Sequence, residues 1–523
     1  MRQKISTQQL GVAILFFGIV LRLIVFWQNR SLFIDESSLS RNIVEKNFLG
    51  FFTVLDYDQY APPLFLCISK LCTLLWGANE FALRAWPLAA GCLSLCLLLG
   101  IAKQVQLTGL AYLVPISWMT LSVVFVRYST EVKQYSSDAM ISLFLVYLIL
   151  RSGLHQSAVG SIYKKPQFFY GIWGLVGSIV PWLSMPSVFL LFGIGCFVGW
   201  RAWREKAWSV LSKWSMVLGS WLLSFGYYYL LILQSDLNKD VLVDYHSQFF
   251  FPTNLFQVGA WEQIGFLLKS ILRSTFGFTF LAYLFGSIGL ILGVIVLARR
   301  SQALLMIIGL PILSCWIASA FGYYSLIPRL TLFFIPLLYL IFAFAFQEWQ
   351  EKVLSIRGKT ISYSYVLAIP LLLLLPVQKG YKYFWEPLSI EEIRPVLARL
   401  DLETGEASVP IYVDHEAMPA YLFYQGLHED GPFLKNIEAF IASWDDQPAD
   451  WVQTLAPDQH EVWLIYNHLI SQYSTEIMLK ELAEMPENWE QTEILREEGA
   501  LAVQYLRKES PALTNPVDSL KIR

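Results

Sequence analysis

Charge is what this sequence has least of. Asp, Glu, Lys and Arg make up 15% of its 523 residues, against about 25% in ordinary soluble domains. A chain so poor in ions cannot dress all of its surface for water, so much of that surface faces something else. Neither sign dominates: the formal net charge is −3, which gives a nucleic-acid partner no electrostatic support. Cysteine is scarce, and Cys67, Cys72, Cys92, Cys96, Cys196 and Cys315 all lie in apolar stretches. Cys92 and Cys96, four apart on one apolar run, read as small packing residues rather than a bridge. No Cys/His group has zinc spacing, and no repeat at a solenoid period is visible.

Apolar sequence is abundant. Hydrophobic residues make up 55% of the chain, the mean hydropathy is +0.49, and the 36 Phe, 26 Tyr and 19 Trp suit aromatic belts at two lipid interfaces. A membrane-crossing helix needs about 20 mostly apolar residues. Candidate spans are 10–27, 83–101, 109–126, 138–151, 168–183, 185–200, 207–232, 279–298, 303–322, 330–346 and 363–378. The first run follows a basic start (Arg2, Lys4) but is long for a signal peptide. Gln28-Asn29-Arg30 follows it instead of a small-residue cleavage site, so it reads as a retained helix. Segments 61–76 and 262–278 read as interfacial or amphipathic helices.

Basic residues set the orientation. Lys103, Arg151, Lys164, Lys165, Arg201, Arg204, Lys206, Lys213, Arg299, Arg300, Lys352, Arg357 and Lys359 fall on one side if the N-terminus is cytoplasmic. A long first loop (28–82), the Arg127–Asp138 stretch, a loop at 233–278 and the surroundings of Arg329 then face outward. From about 379 the chain becomes rich in Glu and Asp. Val409–Val413, Val462–Tyr466 and Leu501–Leu506 read as strands and Ile390–Leu402 and Thr475–Met485 as amphipathic helices, which together make a small soluble α/β domain. Asp414, His415 and Glu416 read as an ordinary strand-end turn. The expected architecture is a mostly α, polytopic membrane protein with about 11 transmembrane helices (1–378), a long first extracytoplasmic loop and an extracytoplasmic α/β domain (379–523), seated in the plasma or inner membrane.

The candidates for chemistry lie in the outward segments. Asp35-Glu36, just past the first span, is open to three readings: general base for an attacking hydroxyl, metal ligand, or helix cap. Asp56 and Asp58 precede the Pro62-Pro63-Leu64 segment, where tandem prolines suit a helix start. Between Arg127 and Asp138 the sequence is strongly polar yet has no Gly or Pro break. As a helix it places Arg127, Glu131, Gln134 and Asp138 on one face, with Tyr128 and Tyr135 on a neighbouring one. Such a polar stripe lines a cavity or pairs internally. Arg84 and Arg329 each stand at the start of a span, where an arginine either grips a lipid phosphate or snorkels to water. His246 sits in an outward loop, and Arg22 lies inside the first span, where it requires a partner.

Together these motifs resemble the membrane glycosyltransferases of the family 39 type, of the GT-C superfamily. That group includes protein O-mannosyltransferases and the aminoarabinose transferases that modify lipid A. The matching elements are Asp35-Glu36, Pro62-Pro63-Leu64, the Gly77…Glu80…Arg84 run, Arg127–Asp138 and Arg329-Leu330-Thr331, within roughly the first 345 residues. The resemblance implies a polyprenyl-phosphate-sugar donor, an outer-face reaction with inversion at the anomeric carbon, and a first-loop Asp that serves as base or orients the acceptor. It casts Asp35 as the catalytic candidate with Glu36 beside it. Arg84, Arg127, Lys133 and Arg329 are candidates for the phosphate side, and Asp58, Tyr128, Glu131, Tyr135, Asp138 and His246 are, from their positions, further candidates for substrate contact. The resemblance leaves a divalent cation open, since no ligand set requires one. Two departures bear on the acceptor: Ala61 stands where the O-mannosyltransferases carry His before the double proline, and the C-terminal domain differs from theirs. The acceptor therefore stays open among lipid, glycan and protein. Two other classes compete: a transporter or flippase of a lipid-linked substrate, for which inverted repeats and broken midplane helices would be expected, and a non-catalytic membrane scaffold.

Overall fold

The computed structural model describes residues 6–155, 165–234, 246–277, 279–355, 381–405, 409–429, 431, 433–434 and 439–508. The chain divides into two compact units: Met1–Asn29, Glu45–Gly77 and Phe81–Leu388 form the first, and Arg30–Val44, Ala78–Glu80 and Ser389–Arg523 the second.

The first unit is helical. Its first helix, α1 (Thr7–Trp27), opens on a capping box in which Ser6 Oγ accepts from the Gln9 backbone N–H at 3.2 Å and Gln9 Oε1 accepts from the Ser6 N–H at 2.8 Å, satisfying two otherwise orphaned donors. After α2 (Ile34–Glu45) in the second unit come α3 (Pro63–Trp76), with proline at its start, α4 (Glu80–Gln104), α5 (Gly109–Leu121), α6 (Val123–Tyr128), α7 (Tyr135–Arg151), α8 (Gln167–Leu183), α9 (Ser187–Arg204) and α10 (Trp208–Tyr228). Helices Ala260–Phe276, Phe280–Arg300, Gln302–Ala320 and Ile335–Ser355 follow. By length and composition, five described helices can cross a bilayer: Thr7–Trp27, Glu80–Gln104, Trp208–Leu233, Phe280–Arg300 and Gln302–Ala320. The chain is a multi-pass membrane protein. The expected count of about 11 crossings is not reached on this criterion, partly because the apolar run 109–126 divides at Ser122, whose extended backbone (ψ 118°) separates α5 from α6. The expected span at 363–378 lies outside the described residues.

Close approach holds these helices together. A Cβ on Gly289 would lie 2.2 Å from the Phe342 ring, and one on Gly293 would lie 2.1 Å from the Ile341 carbonyl oxygen. Helix Phe280–Arg300 therefore meets Ile335–Ser355 at backbone range, the small-residue packing that replaces hydrophobic drive inside lipid. Trp118 of α5 fills the centre, its ring 4.7 to 5.5 Å from those of Phe342, Phe276 and Tyr339. The partners of Arg22 are backbone carbonyls: its guanidinium donates to Gly18 O and Met119 O, both at 3.0 Å, so α1 and α5 share one buried charge. At one end of the bundle Gln350 bonds Leu110 N (2.9 Å) and Thr108 O (3.2 Å), while Arg300 pairs with Glu348 and Glu351. Residues 108–110 and Arg300 thus both meet the C-terminal half of helix Ile335–Ser355.

The second unit has the expected α/β character. Its sheet runs β2-β1-β3-β5-β4, from β1 (Ile411–Val413), β2 (Ala439–Ile441), β3 (Glu461–Tyr466), β4 (Trp489–Glu497) and β5 (Ala500–Arg507). β1 lies parallel to β2 and β3, and β5 runs antiparallel between β3 and β4. Helices Ile393–Thr404 and Gln472–Ala483 correspond to the two expected ones. Helix Met418–Gly426, β2 and β4 were not legible: β2 has three residues, and β4 (Trp-Glu-Gln-Thr-Glu-Ile-Leu-Arg-Glu) exposes most of its side chains, so neither carries a clean apolar alternation.

Candidate functional site

In the second unit the site is built on α2. Asp35 and Glu36 occupy the helix's first turn, where the macrodipole favours negative charge. Asp35 is the second helical residue, so it is not the cap. The structure separates the pair: Asp35 is partly exposed, whereas Glu36 is 0% exposed. Backbone N–H groups ahead of Asp35 are held by side chains from far along the chain. Ser31 N (3.0 Å) and Ser31 Oγ (2.9 Å) donate to Glu392, Leu32 N donates to the Tyr424 hydroxyl (2.8 Å), and Ile34 N donates to Glu391 (3.0 Å).

Two buried carboxylates, Glu80 and Glu391, organise this region. Glu80 accepts from Arg394 (2.7 Å) and the Tyr424 hydroxyl (2.8 Å) and contacts His428 Nε2 (2.9 Å). Glu391 accepts from Ile34 N, from Asn467 Nδ2 (2.8 Å) and from His468 Nδ1 (2.6 Å). The hydrogen bond to Glu391 lifts the His468 imidazole above its ordinary range against burial, with the charges of Glu391, Glu416 and Asp35 adding to the rise. Of these residues, sequence reading had singled out Glu80 alone, for its place ahead of Arg84. Glu391, Tyr424, His428 and His468 carried no spacing signal, because their partners lie more than 300 residues away or in an irregular turn.

In the first unit the Arg127–Asp138 stretch is not a continuous helix. α6 ends at Tyr128 and α7 begins at Tyr135. Ser129 Oγ and Thr130 Oγ1 turn back onto the Val126 and Arg127 carbonyls at 2.7 and 3.0 Å, competing with the helix for those acceptors. The broken geometry still pairs some of these residues. Arg127 pairs with the fully buried Glu131 and lies 5.6 Å from the centre of the Tyr128 ring. The Tyr128 and Tyr135 rings meet edge to face at 4.9 Å. Lys133 Nζ donates to Gln59 Oε1 at 2.8 Å, one residue from exposed Asp58, which with Tyr57 takes a left-handed backbone (φ 50° and 60°). Asp138 is buried in the first turn of α7, and one of its oxygens has no hydrogen-bond partner among the described residues.

Two distant segments come together beside this stretch. Leu326 N donates to Phe249 O at 3.0 Å, and Phe251 N to Ser319 Oγ at 3.0 Å, which brings His246 near Arg329. Burial first, and then the Arg329 guanidinium, hold the His246 imidazole below its ordinary range. Tyr324, whose hydroxyl donates to Leu330 O at 2.9 Å, lies close enough to Asp138 and Tyr135 to feel both. Arg84 is buried one turn into α4. Among the described residues no group of three or more His, Cys, Asp or Glu side chains is placed to hold a metal ion.

No family profile matches the chain, and no curated protein sequence matches it. Solved structures do. ArnT from Cupriavidus metallidurans, bound to undecaprenyl phosphate, aligns with a TM-score of 0.50 at 12% identity, covering 95% of this chain and 98% of that one. The Archaeoglobus fulgidus oligosaccharyltransferase, tethered to an acceptor peptide with the NVT sequon, aligns with a TM-score of 0.51 at 10% identity, covering 96% of this chain and 74% of that one. At such identities the likeness speaks for the fold alone, and this chain shares the fold of these two proteins.

Proposed function

We propose that this chain is an inverting glycosyltransferase that moves a sugar from a polyprenyl-phosphate carrier to an acceptor on the outer face of the plasma or inner membrane. The observation that carries the reading is Asp35: in the first turn beyond α1 it keeps solvent access, while Glu36, Glu80 and Glu391 are buried. A partly exposed carboxylate there is fit to take a proton, and the fold shared with an undecaprenyl-phosphate-bound glycosyltransferase supplies the kind of donor.

The chemistry follows from charge. An acceptor hydroxyl attacks the anomeric carbon from the face opposite the phosphate. Asp35 takes the hydroxyl proton, the new glycosidic bond forms, and the old carbon–oxygen bond breaks with its electron pair going to the phosphate. The departing polyprenyl phosphate gains negative charge, so fixed cations lower the barrier. Arg84, Arg127, Lys133 and Arg329 are proposed for this role. Tyr128, Tyr135, Glu131, Asp138, His246 and Asp58 are proposed to line the donor's path, and the second unit is placed outside the cytoplasm.

The test is transfer from a panel of radiolabelled polyprenyl-phosphate sugars by the full chain in lipid nanodiscs, with Asp35→Asn alongside. Transfer from one donor that the variant loses supports the reading and names the sugar. Absence of both transfer and donor hydrolysis across the panel, in protein that binds no polyprenyl phosphate, overturns it.

A further inference from the structure

We infer that His468 and Glu391 are positioning residues for Asp35, holding the segment of the second unit that carries it. The inference rests on the proposed function, because it concerns how the proposed base is held.

Glu391 is the junction. One of its oxygens accepts both the Ile34 N–H, at the residue immediately before Asp35, and the Asn467 amide at 3.0 and 2.8 Å, and the other accepts from His468 Nδ1 at 2.6 Å. The carboxylate is 1% exposed, so these charge-assisted bonds are not screened by water. The junction is braced from behind: Glu392 N donates to Glu498 O at 2.8 Å, and Leu469 N donates to Gly499 O at 3.1 Å. The β4–β5 turn thereby fixes both the segment bearing Glu391 and the segment bearing His468. Gly499 is required for that approach, since a Cβ there would lie 2.3 Å from the Ile390 carbonyl oxygen and its φ is +70°.

His468 bonds Glu391, in the segment ahead of helix Ile393–Thr404, and feels the charges of Glu416, in the turn after β1, and of Asp35 in α2. It takes a left-handed backbone (φ 59°), uncommon outside Gly, Asn, Asp and His. A histidine held against a buried carboxylate at one nitrogen presents the rest of its ring in a fixed direction. Here that ring is held by the carboxylate that accepts the Ile34 N–H, one residue before the proposed base. A reacting group misplaced by about 1 Å costs about 10²-fold in rate, so loosening this support is read in turnover.

The experiment compares His468→Ala, His468→Asn and Glu391→Gln in the full chain, with Asp35→Asn as reference. Asparagine tolerates the left-handed backbone, and its amide nitrogen stands at the same bond distance from Cα as histidine Nδ1. The expected result is a 10- to 100-fold fall in kcat for His468→Ala with KM for the donor within twofold, recovery to within about fivefold in His468→Asn, and a fall in kcat for Glu391→Gln. Wild-type kcat in His468→Ala and in Glu391→Gln overturns the inference, and so does a loss in His468→Ala that His468→Asn does not restore. Should His468→Ala fail to fold, Glu391→Gln and His468→Asn decide in the same terms. If Asp35→Asn retains turnover, it is the function reading that fails, which separates the two outcomes.

Discussion

Within each unit a different means of cohesion stands out. The membrane unit relies on shape: Gly289 and Gly293 let two backbones touch, and Trp118 fills the space between Phe276, Tyr339 and Phe342. The second unit relies on buried charge: Glu80 is tied to Arg394, Tyr424 and His428, and Glu391 to Ile34, Asn467 and His468. Lipid explains the contrast. Between apolar helices in a bilayer no water is released by burial, so close packing and interhelical bonds must supply the attraction. Where water competes, a buried carboxylate is costly to leave unpaired but specifies its partners closely. The consequence is a difference in what fails: volume changes should damage one unit and lost partners the other.

The largest expected effect is on the charged unit. Glu80→Ala leaves Arg394, Tyr424 and His428 without their shared acceptor, and breaking a buried pair in this way costs about 3–5 kcal/mol. Hydrogen exchange should show lost protection concentrated in 389–508; equal loss across helices Phe280–Arg300 and Ile335–Ser355 would erase the contrast. Next is Gly289→Leu, which drives a side chain into Phe342 and should destabilise the helix pair by about 1–3 kcal/mol. Its thermal unfolding in nanodiscs should fall while exchange in the sheet stays unchanged.

Sequence legibility divides along the same line. Shape-held elements announce themselves: the apolar runs located described helices such as Thr7–Trp27 and Phe280–Arg300. Arg127, Glu131, Tyr128 and Tyr135 were legible as a polar group, but their backbone was misread as continuous helix. Ser129 and Thr130 can bond their own preceding carbonyls, and no Gly or Pro marks the break. Asp35-Glu36 was legible as an acidic pair but not as one partly exposed and one buried residue, because burial is set by tertiary packing that adjacent positions do not encode. Glu391 and His468 were invisible for the same reason: a buried hydrogen-bond junction leaves no period in the sequence.

Smaller effects sharpen the comparison within the proposed site. Arg329→Ala should weaken polyprenyl-phosphate binding about tenfold, the size of one lost charge-assisted hydrogen bond at roughly 1.5 kcal/mol, with kcat at saturating donor little changed. A fall in kcat with unchanged donor affinity would move Arg329 off the phosphate side. The smallest effect is on pH. The raised imidazole of His468 favours its charged form in the folded state. Its contribution to stability is therefore fully present below the unfolded value of about 6.5 and is lost as pH rises through the folded value. The unfolding temperature of the second unit should decline as pH rises above 6.5, and His468→Asn should flatten that decline. A slope unchanged by His468→Asn would assign it to other groups.

The central claim is that Asp35 takes the acceptor's proton in transfer from a polyprenyl-phosphate sugar. Its most direct test is single-turnover transfer at saturating donor by the wild type and Asp35→Asn, with donor affinity measured on the same samples. Loss of transfer by about 10³-fold, within the span of general-base effects, with donor affinity unchanged, is the predicted result. Near-normal single-turnover transfer by Asp35→Asn would contradict the account.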